Sequence, residues 1–385
     1  MALSEKAIAQ YEQVVESQLA RIQAMKEQGG FIDYSKLDKI IIGVCGGDGI
    51  GPMITGMAQH ALEVLLADKV KSGKVEFRVI DGLTIERRAE LGCAIPPDVM
   101  EELRACHVIL KGPTTTPRKG DPWPNVESAN VAMRKALDLF ANVRPVKVPE
   151  LGIDWTFYRE NTEGVYAVGS QGVQIDEDLY IDFTVATSQG CERIARLAFD
   201  YARKTGKNRV SCVTKANIIK TTDGKFLDTC QKIAAEYPEV VFDDWYIDIM
   251  TAKLLDDKRR RDFKVVVLPN LYGDIITDEA AEIQGGVGTA GSANIGKRYA
   301  MFEAIHGSAP RMVQEGRAKY ADPSSVLRAA VMLLEHIGEI ELANKLDRAL
   351  DICMYEKKKY VITGRDTGAT AQEFTDYVLE TIASL

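Results

Sequence analysis

The chain has 385 residues, of which 46% are hydrophobic and 27% charged, a composition typical of a globular protein large enough for two domains. Its formal net charge of −8 argues against nucleic acid or an anionic membrane as the main partner. The net charge does not exclude a small anionic substrate, because local clusters of arginine determine whether such a molecule can bind.

Two further features predict a cytoplasmic location. The N-terminal segment lacks the apolar core of a signal peptide, and no apolar run is long enough to span a bilayer. The 7 cysteines are scattered, odd in number and form no CxxC pair, a pattern typical of reduced thiols.

The first predicted element is a helix over residues 4–28, which Gly29-Gly30 ends. Its apolar residues recur at heptad-like spacing and form one stripe. Such a stripe must pack on something, either on its own subunit or on a partner subunit. The stripe consists of Ile8, Tyr11, Val15, Ile22 and Met25.

After this helix, predicted strands alternate with predicted helices, the first of which runs to about Ala67, and the chain is helical from Pro323 onward. This alternation predicts an α/β fold with a largely parallel sheet. Residues 180–187 alternate with β-branched residues and predict an antiparallel arm. The other predicted strands are 39–44, 75–80, 108–111, 156–159, 210–214, 240–246 and 265–268.

The glycine-rich segment Gly47-Asp-Gly-Ile-Gly-Pro52 follows the first strand and is similar to a dinucleotide-binding loop. The Rossmann fingerprint G-x-G-x-x-G requires glycine where this chain has Pro52. The glycines therefore indicate a tight structural turn, and a nucleotide would bind elsewhere.

The most informative segment is Asn270-Leu-Tyr-Gly-Asp-Ile-Ile-Thr-Asp278, which follows the apolar strand 265–268. On a helix, Asp274 and Asp278 lie one turn apart on the same face, so a cation is expected near them. Carboxylate oxygens suit Mg²⁺ or Mn²⁺ better than zinc. The alternative is a solvated first helical turn, where aspartate is also favoured.

Three arginines, in segments with the character of strand ends, are spaced so that a fold could bring them together. Planar guanidinium groups bind carboxylates through paired hydrogen bonds. Arg134, Arg144 and Arg159 therefore predict a site for a polycarboxylate, with Ser128 and Asn130 as neighbouring hydrogen-bonding groups.

The motifs taken together resemble the β-decarboxylating dehydrogenases, which include isocitrate, isopropylmalate, homoisocitrate and tartrate dehydrogenases. The resemblance runs from about Lys39 to the C-terminus and leaves the N-terminal helix outside. It rests on GDGIGP, on KGP followed by TT, on the three arginines, and on YRENTEGVY, KANIIK, NLYGDIITD and EAIHGSAP.

This resemblance implies the two-lobed isopropylmalate-dehydrogenase-like α/β fold with a non-Rossmann cofactor site. It implies a helical extension over 1–38 and a large cofactor-binding domain from 39–139 and 285–385. It also implies a small domain over 140–284 for dimerisation and metal binding, with a β arm near 165–187. The expected assembly is a homodimer that shares its active sites.

The resemblance also implies roles for single residues. Tyr166 and Lys215 match the catalytic pair, with Lys215 acting in the other subunit's site. Asp274 matches a direct metal ligand, Asp278 its supporting neighbour and Asp248 the ligand from the other subunit. The residues that match the cofactor-binding positions are Thr115, Thr116, Asn217, Glu303, His306, Gly307, Ser308, Ala309, Arg311, Met312 and Asp322.

Ser128 and Asn130 stand where isopropylmalate enzymes have an acidic, leucine-rich stretch, and this favours the tricarboxylate isocitrate as the substrate. A polar pocket rejects an apolar substituent because its own groups would be left unpaired. The loop over 118–125 is longer than in several relatives and could reshape the pocket. Homoisocitrate, tartrate and 3-isopropylmalate therefore stay open as substrates.

The position after EAIHGSAP favours NADP over NAD. NAD-dependent relatives generally have aspartate there, whereas this chain has Arg311, which can pair with a 2′-phosphate. Met312 and Asp322 weigh against NADP, since neither matches the pattern of NADP enzymes. A non-catalytic regulatory subunit is a further alternative, but such subunits tend to lose the tyrosine, the lysine or a metal aspartate.

Overall fold

A computed structural model describes residues 5–118, 120–169, 171–286 and 288–385. The strands of the described chain are β1 Ile40–Cys45, β2 Val75–Val79, β3 Val108–Lys111, β4 Ala141–Val148, β5 Ile153–Glu160, β6 Val173–Gln174, β7 Tyr180–Ile181, β8 Arg209–Thr214, β9 Val241–Tyr246, β10 Val265–Leu268, β11 Gly291–Ile295 and β12 Ala300–Ala304.

Helices occupy most of the remaining described chain. They are α1 Glu5–Glu27, α2 Gly51–Leu65, α3 Ala67–Lys71, α4 Ile85–Leu91, α5 Pro97–Arg104, α6 Ala129–Ala136, α7 Val165–Val168, α8 Ser188–Thr205, α9 Thr222–Ala234, α10 Ile247–Leu254, α11 Asn270–Gln284, α12 Pro310–Gln314, α13 Ser324–His336, α14 Ile340–Asp351 and α15 Ala371–Ala383.

The chain divides into two compact units. The first unit contains the described residues of Met1–Gly30 and Phe140–Ala280, and the second contains those of Phe31–Leu139 and Ala281–Leu385. In each unit, helices pack against a mostly parallel sheet. The predicted α/β fold class is therefore confirmed.

In the first unit the strand order is β4-β5-β10-β8-β9, with β4 antiparallel and the other neighbours parallel. All of β10 is buried. A parallel strand covered on both faces consists of apolar residues throughout, and this is why the run Val265–Leu268 was recognisable from sequence.

In the second unit the order is β2-β1-β3-β12-β11, and only β11 is antiparallel to its neighbour in this unit. Leu110 of β3 and Phe302 of β12 lie at paired positions and are fully buried. The register of the same two strands places Lys111 beside Glu303.

Helix α1 belongs to the first unit and packs on its own chain. Of the predicted stripe, Met25 is buried and Ile22 half-buried, whereas Ile8, Tyr11 and Val15 are exposed. The buried face of α1 instead includes Ala7 and Val14, so the predicted stripe was mostly wrong as the face that packs on this chain.

The arm predicted near 165–187 pairs as strand only at β6 and β7, apart from one bridge between Gly164 and Val185. Asp176 closes its turn by accepting hydrogen bonds from the N–H groups of Asp178 and Leu179. Residues 165–168 form a helical turn instead, because Gly164 takes a positive φ of 69° immediately before it. Ser170 lies outside the described residues.

No helix in the described parts of the chain combines the length and apolar character that a membrane crossing requires.

Candidate active site

Asp274 and Asp278 lie on α11, as the sequence predicted, and both side chains reach solvent, with 42% and 61% of their surface exposed. The backbone of this helix lies close to the side chain of Arg159 on β5. A Cβ atom at Gly273 would lie 2.4 Å from Cγ of Arg159. Glycine at this position therefore lets Arg159 reach the helix.

Each aspartate is paired with one of the predicted arginines. Arg159 on β5 donates to Asp274, and Nη1 of Arg144 on β4 lies 2.8 Å from Oδ1 of Asp278. The register pairs Asn142 with Arg159, so Arg144 and Arg159 lie on one face of the β4–β5 pair. The two guanidinium groups compensate the repulsion between the two carboxylates. We name Arg144, Arg159, Tyr166, Asp274 and Asp278 the Asp274 cluster.

Tyr166 lies on the helical turn α7, and its hydroxyl donates a hydrogen bond of 2.7 Å to Oδ2 of Asp274. The Arg159 guanidinium lies 5.4 Å from the centre of the tyrosine ring. The predicted catalytic tyrosine, metal aspartate and carboxylate-binding arginine thus meet at one place in the first unit.

Asn270 and Thr277 support this cluster, although the sequence analysis assigned a role to neither of them. Oδ1 of Asn270 accepts from Nε and Nη2 of Arg159 at 3.0 and 2.6 Å, and Thr277 Oγ1 accepts from Nη1 of Arg144 at 2.6 Å. Both residues belong to the NLYGDIITD motif: Asn270 lies four residues before Asp274, and Thr277 lies three residues after it. Helical spacing from the aspartates is the signal that could have identified them.

Lys215 and Asp248 form a second pair in the first unit. Nζ of Lys215, just after β8, lies 2.6 Å from Oδ1 of Asp248 in the first turn of α10. This contact lowers the pKa of the Asp248 carboxyl. Among the described residues of the chain, no three aspartate, glutamate, histidine or cysteine side chains are close enough to hold a metal together. Asp248 therefore does not complete a ligand set with Asp274 and Asp278 within one chain.

The donor set nevertheless fits a hard cation. Asp274 and Asp278 offer carboxylate oxygens on one helical face and reach solvent, with no thiolate or imidazole in the predicted set. Such oxygen donors are the ligands that Mg²⁺ and Mn²⁺ prefer.

In the second unit, the predicted substrate residue Arg134 and the predicted cofactor residue Glu303 contact each other. Oε1 of Glu303 lies 3.2 Å from Nη2 of Arg134 and 2.8 Å from Nδ2 of Asn294, and Oε2 lies 3.0 Å from Nζ of Lys111. We name these four residues the Glu303 cluster. All four are buried.

Opposing effects act on the Glu303 carboxyl. Burial alone would raise its pKa, but Lys111 and Arg134 outweigh burial and lower the pKa to about 2. Nε of Arg134 is buried and has no hydrogen-bond partner among the residues that the structure describes. A buried donor of this kind is satisfied when an anionic ligand binds beside it.

The glycine-rich segment joins two other loops, as its structural interpretation requires. Asp48 Oδ2 accepts from the N–H of Thr115 at 2.6 Å, and the N–H of Ile50 donates to the carbonyl of Ser308 at 3.0 Å. A Cβ atom at Gly49 would lie 1.9 Å from that carbonyl oxygen. Oγ1 of Thr115 and Oγ of Ser308 are 2.8 Å apart, so two predicted cofactor residues are in contact.

Arg88 is a supporting residue that sequence reasoning missed. It is fully buried and donates to the carbonyl groups of Ala94, Thr115 and Glu127, each at 2.7 or 2.8 Å. It therefore fixes the loops that carry Thr115 and Ser128. A single arginine in an amphipathic helix gives no sequence signal for such a role.

Ser128 and Asn130 lie at the start of α6. Ser128 caps the helix, its Oγ accepting from the N–H of Val131 at 3.5 Å, and Asn130 Oδ1 accepts from Thr114 Oγ1 at 3.0 Å. These contacts fix both side chains near the threonine loop. The neighbouring loop over 118–125 has no helix or strand among its described residues, and Lys119 lies outside them.

The remaining predicted cofactor residues lie on α12, in loops of the second unit and, for Asn217, in the first unit. Ala309 precedes α12 with a positive φ of 45°, a strained conformation for a non-glycine residue that is concentrated at functional sites. Arg311 on α12 is 85% exposed and pairs with Glu315 at 2.6 Å. Met312 on α12 is half-buried, and Thr116 and Asn217 are exposed. Nδ1 of His306 lies 3.0 Å from the carbonyl oxygen of Gly307. Burial raises the pKa of the Asp322 carboxyl.

Comparison with known proteins identifies the family. The family model described as isocitrate/isopropylmalate dehydrogenase matches residues 41–378. The chain belongs to this family. The match begins at β1, so α1 lies outside it.

Individual relatives support the assignment. The chain is 38% identical to the NADP isocitrate dehydrogenase of Rickettsia prowazekii over 80% of its length and 62% of that protein. It is 35% identical to the homoisocitrate dehydrogenase of Methanocaldococcus jannaschii over 87% of its length and 96% of that protein. The crystal structure of isocitrate dehydrogenase from Methylococcus capsulatus superposes with a TM-score of 0.76 at 34% identity, covering 89% of this chain and 99% of that one.

Proposed function

We propose that the protein is an NADP-dependent isocitrate dehydrogenase, which oxidises isocitrate and releases 2-oxoglutarate and CO₂ in the presence of Mg²⁺ or Mn²⁺. The observation that carries this proposal is the contact of Tyr166 and Arg159 with Asp274 in a member of this family. A proton donor, a carboxylate-binding cation and a metal-binding oxygen are the groups that an oxidative decarboxylation needs in one place.

Three arginines hold the carboxylates of the substrate. Guanidinium groups offer N–H donors in a plane that matches a carboxylate, and Arg134 has a buried Nε without a hydrogen-bond partner among the described residues. Arg144 and Arg159 are fixed by Thr277 and Asn270, so little side-chain freedom is lost when substrate binds. Ser128 and Asn130 supply hydrogen bonds for the third carboxylate, which distinguishes isocitrate from isopropylmalate.

Tyr166 and Lys215 move protons. Lys215 removes the proton of the substrate hydroxyl as C2 is oxidised to a ketone, and Tyr166 protonates C3 after the β-carboxylate leaves as CO₂. When bound, Mg²⁺ or Mn²⁺ at Asp274, with Asp278 in support, makes the hydroxyl more acidic and stabilises negative charge on its oxygen, and NADP accepts the hydride.

The second unit binds the cofactor. Thr115, Thr116, Glu303, the 306–309 loop, Arg311, Met312 and Asp322 are its proposed cofactor residues, and Asn217 of the first unit lies near the nicotinamide. Arg311 is exposed and can pair with a 2′-phosphate, although Glu315 competes for it. Relatives named as NADP enzymes support this preference.

The working assembly is a cytoplasmic homodimer in which Asp248 and Lys215 act in the partner's site. Asp248 lies away from Asp274 and Asp278 in its own chain. Ile249 beside Asp248 and Ile275 beside Asp274 are exposed, and exposed apolar residues around polar ones are typical of an interface. A second subunit would cover them.

Homoisocitrate is the second candidate substrate. The M. jannaschii relative named homoisocitrate dehydrogenase matches over 96% of its length. Homoisocitrate differs from isocitrate by one methylene group, which changes selectivity by only about 10–200-fold. Tartrate and 3-isopropylmalate, and a non-catalytic subunit, have less support because Ser128, Tyr166, Lys215 and the aspartates are all present.

The test is a panel of four 2-hydroxy acids, namely isocitrate, homoisocitrate, tartrate and 3-isopropylmalate, assayed with Mn²⁺ and with NADP or NAD. We expect the largest kcat/KM for isocitrate with NADP and no turnover after chelation of the metal. A larger kcat/KM for homoisocitrate would favour the second candidate, and a preference for NAD would contradict the role of Arg311. No turnover of any member would support the non-catalytic alternative.

A further inference from the structure

Arg21, on the helix that precedes the family match, contacts the segment that contains Tyr166. Its Nη1 lies 2.9 Å from Oε1 of Glu163, and its Nη2 lies 3.0 Å from Oγ1 of Thr162. The side chain of Glu163 is only 4% exposed, so this is a largely desolvated ion pair. An element outside the family pattern is thus attached to a family motif.

The Glu163 carboxylate also accepts hydrogen bonds from Thr187. Thr187, which caps α8, donates from its N–H at 2.9 Å and from its Oγ1 at 2.5 Å. A Cβ atom at Gly190 would lie 2.1 Å from Oε1 of Glu163, so the start of α8 packs directly on the carboxylate. A buried carboxylate without its cation is strongly destabilised. Arg21 therefore stabilises the position of this carboxylate.

A chain of contacts leads from Glu163 to the Asp274 cluster. The carbonyl of Glu163 accepts from Nδ2 of Asn270 at 3.2 Å. Oδ1 of Asn270 accepts from Arg159, Arg159 donates to Asp274, and Asp274 accepts from Tyr166. Every member lies in the first unit. In a hydrogen-bonded network of this kind, which is buried at Asn270 and Arg159 and reaches solvent at Asp274, each hydrogen bond limits the movement of the next group.

A second, shorter connection is the backbone. Tyr166 follows Glu163 by three residues, and the intervening Gly164 is fixed to Val185 by backbone hydrogen bonds at 2.8 and 3.3 Å. The N–H groups of Thr162 and Glu163 donate to the Glu160 carboxylate. The Glu163 carboxylate therefore belongs to a held segment that runs directly into α7.

We propose that Arg21 is a positioning residue for Tyr166, and that α1 thereby tunes turnover without touching substrate or cofactor. The inference rests on the proposed role of Tyr166 as proton donor. It predicts that the N-terminal helix is part of the working enzyme.

The experiment compares Arg21→Ala with Val14→Ala in the full chain. Val14 is buried on the same helix and its truncation loosens packing without removing the ion pair. Two readouts are measured: steady-state kinetics with isocitrate, and hydrogen exchange of the backbone amides in residues 161–166. Arg21→Lys, which keeps the cation, serves as a milder variant should Arg21→Ala fail to fold.

We expect Arg21→Ala to lower kcat by ~10-fold, the usual size of an outer-contact effect, with a smaller change in the KM for isocitrate. Exchange in 161–166 should quicken, added guanidinium should restore part of kcat, and Arg21→Lys should lie between wild type and Arg21→Ala. Val14→Ala should do none of these.

Equal kcat losses in Arg21→Ala and Val14→Ala, or unchanged exchange in 161–166, would overturn the inference. Failure of the wild type to oxidise isocitrate would instead contradict the proposed function, and the exchange experiment would still decide whether Arg21 fixes the segment.

Discussion

The Asp274 cluster and the Glu303 cluster both combine carboxylates with cations, but they differ in burial. The carboxylates of Asp274 and Asp278 reach solvent although their partners Arg159 and Arg144 are buried, whereas Glu303 and Lys111 are both closed off from it. An exposed ion pair contributes little to stability, since water competes for both partners. A buried pair is destabilising when only one partner is removed.

The difference indicates different uses of the same chemistry. In the proposed function, the solvent-facing carboxylates of the Asp274 cluster are the groups that a metal ion can reach. The Glu303 cluster joins β3, β12 and α6, and Nε of Arg134 in it has no hydrogen-bond partner in the described part of the chain. We therefore expect substitutions in the Asp274 cluster to alter mainly activity, and substitutions in the Glu303 cluster to alter mainly stability.

The largest effect is expected for Tyr166→Phe. Loss of the phenolic proton donor should reduce kcat by ~10²–10⁴-fold, the contribution of a general acid. The melting temperature should change little, since α7 keeps its backbone contacts. Tyr299→Phe is the matched control, because it removes a hydroxyl whose 3.4 Å contact with the Arg104 carbonyl lies outside both clusters. If the Tyr166→Phe variant turned over substrate at the wild-type rate, the proposed catalytic role of the Asp274 cluster would be wrong.

Glu303→Gln should cause the largest loss of folding stability. It leaves Lys111 and Arg134 buried without their anion, at a cost of ~3–5 kcal/mol. Differential scanning calorimetry should show a melting temperature lower by several degrees. A variant as stable as the wild type would mean that the Glu303 cluster does not stabilise the second unit.

The stabilisation by Glu303 should depend on pH in a defined direction. Its pKa is about 2 in the folded protein and 4.5 in its ordinary state, so the stabilisation is complete above the higher value and is lost as pH falls through the lower one. The difference in melting temperature between wild type and Glu303→Gln should fall by about half between pH 6 and pH 3. A difference that stays constant over this range would contradict the assigned pKa.

The smallest effect is expected for Asp278→Asn. Because the carboxylate is largely exposed, the free energy of unfolding should change by less than ~1 kcal/mol. The Kd for Mn²⁺, measured by isothermal titration calorimetry, should rise ~10-fold if Asp278 supports the metal. Glu315→Gln, which breaks another exposed ion pair, should leave Mn²⁺ binding unchanged. A large loss of stability in Asp278→Asn would erase the contrast between the two clusters.

Local sequence patterns were sufficient for much of the fold. Fully apolar runs such as Val265–Leu268 are recognisable because a doubly covered strand contains only apolar residues. Strands β4, β11 and β12 were not predicted. Ala141–Val148 contains Arg144, Pro145 and Lys147, and the other two have no run of β-branched residues.

The candidate site was predictable in its residues but not in its pairings. Helical spacing placed Asp274 and Asp278 on one face, and the family resemblance supplied Tyr166, Lys215 and the arginines. Which arginine meets which carboxylate depends on strand register, such as Asn142 opposite Arg159 and Lys111 beside Glu303. Register is set by contacts far apart in sequence, so no local pattern reports it.

The glycine-rich segment has a consequence for how this enzyme could evolve. Its packing requires glycine at two positions, because a Cβ atom at Gly47 or Gly49 would lie 2.3 or 1.9 Å from a carbonyl oxygen of a neighbouring loop. Arg311, by contrast, is exposed and free to be replaced without collision. Under the role proposed for Arg311, a lineage could change its cofactor preference at one solvent-facing position while the glycine-rich segment stays invariant.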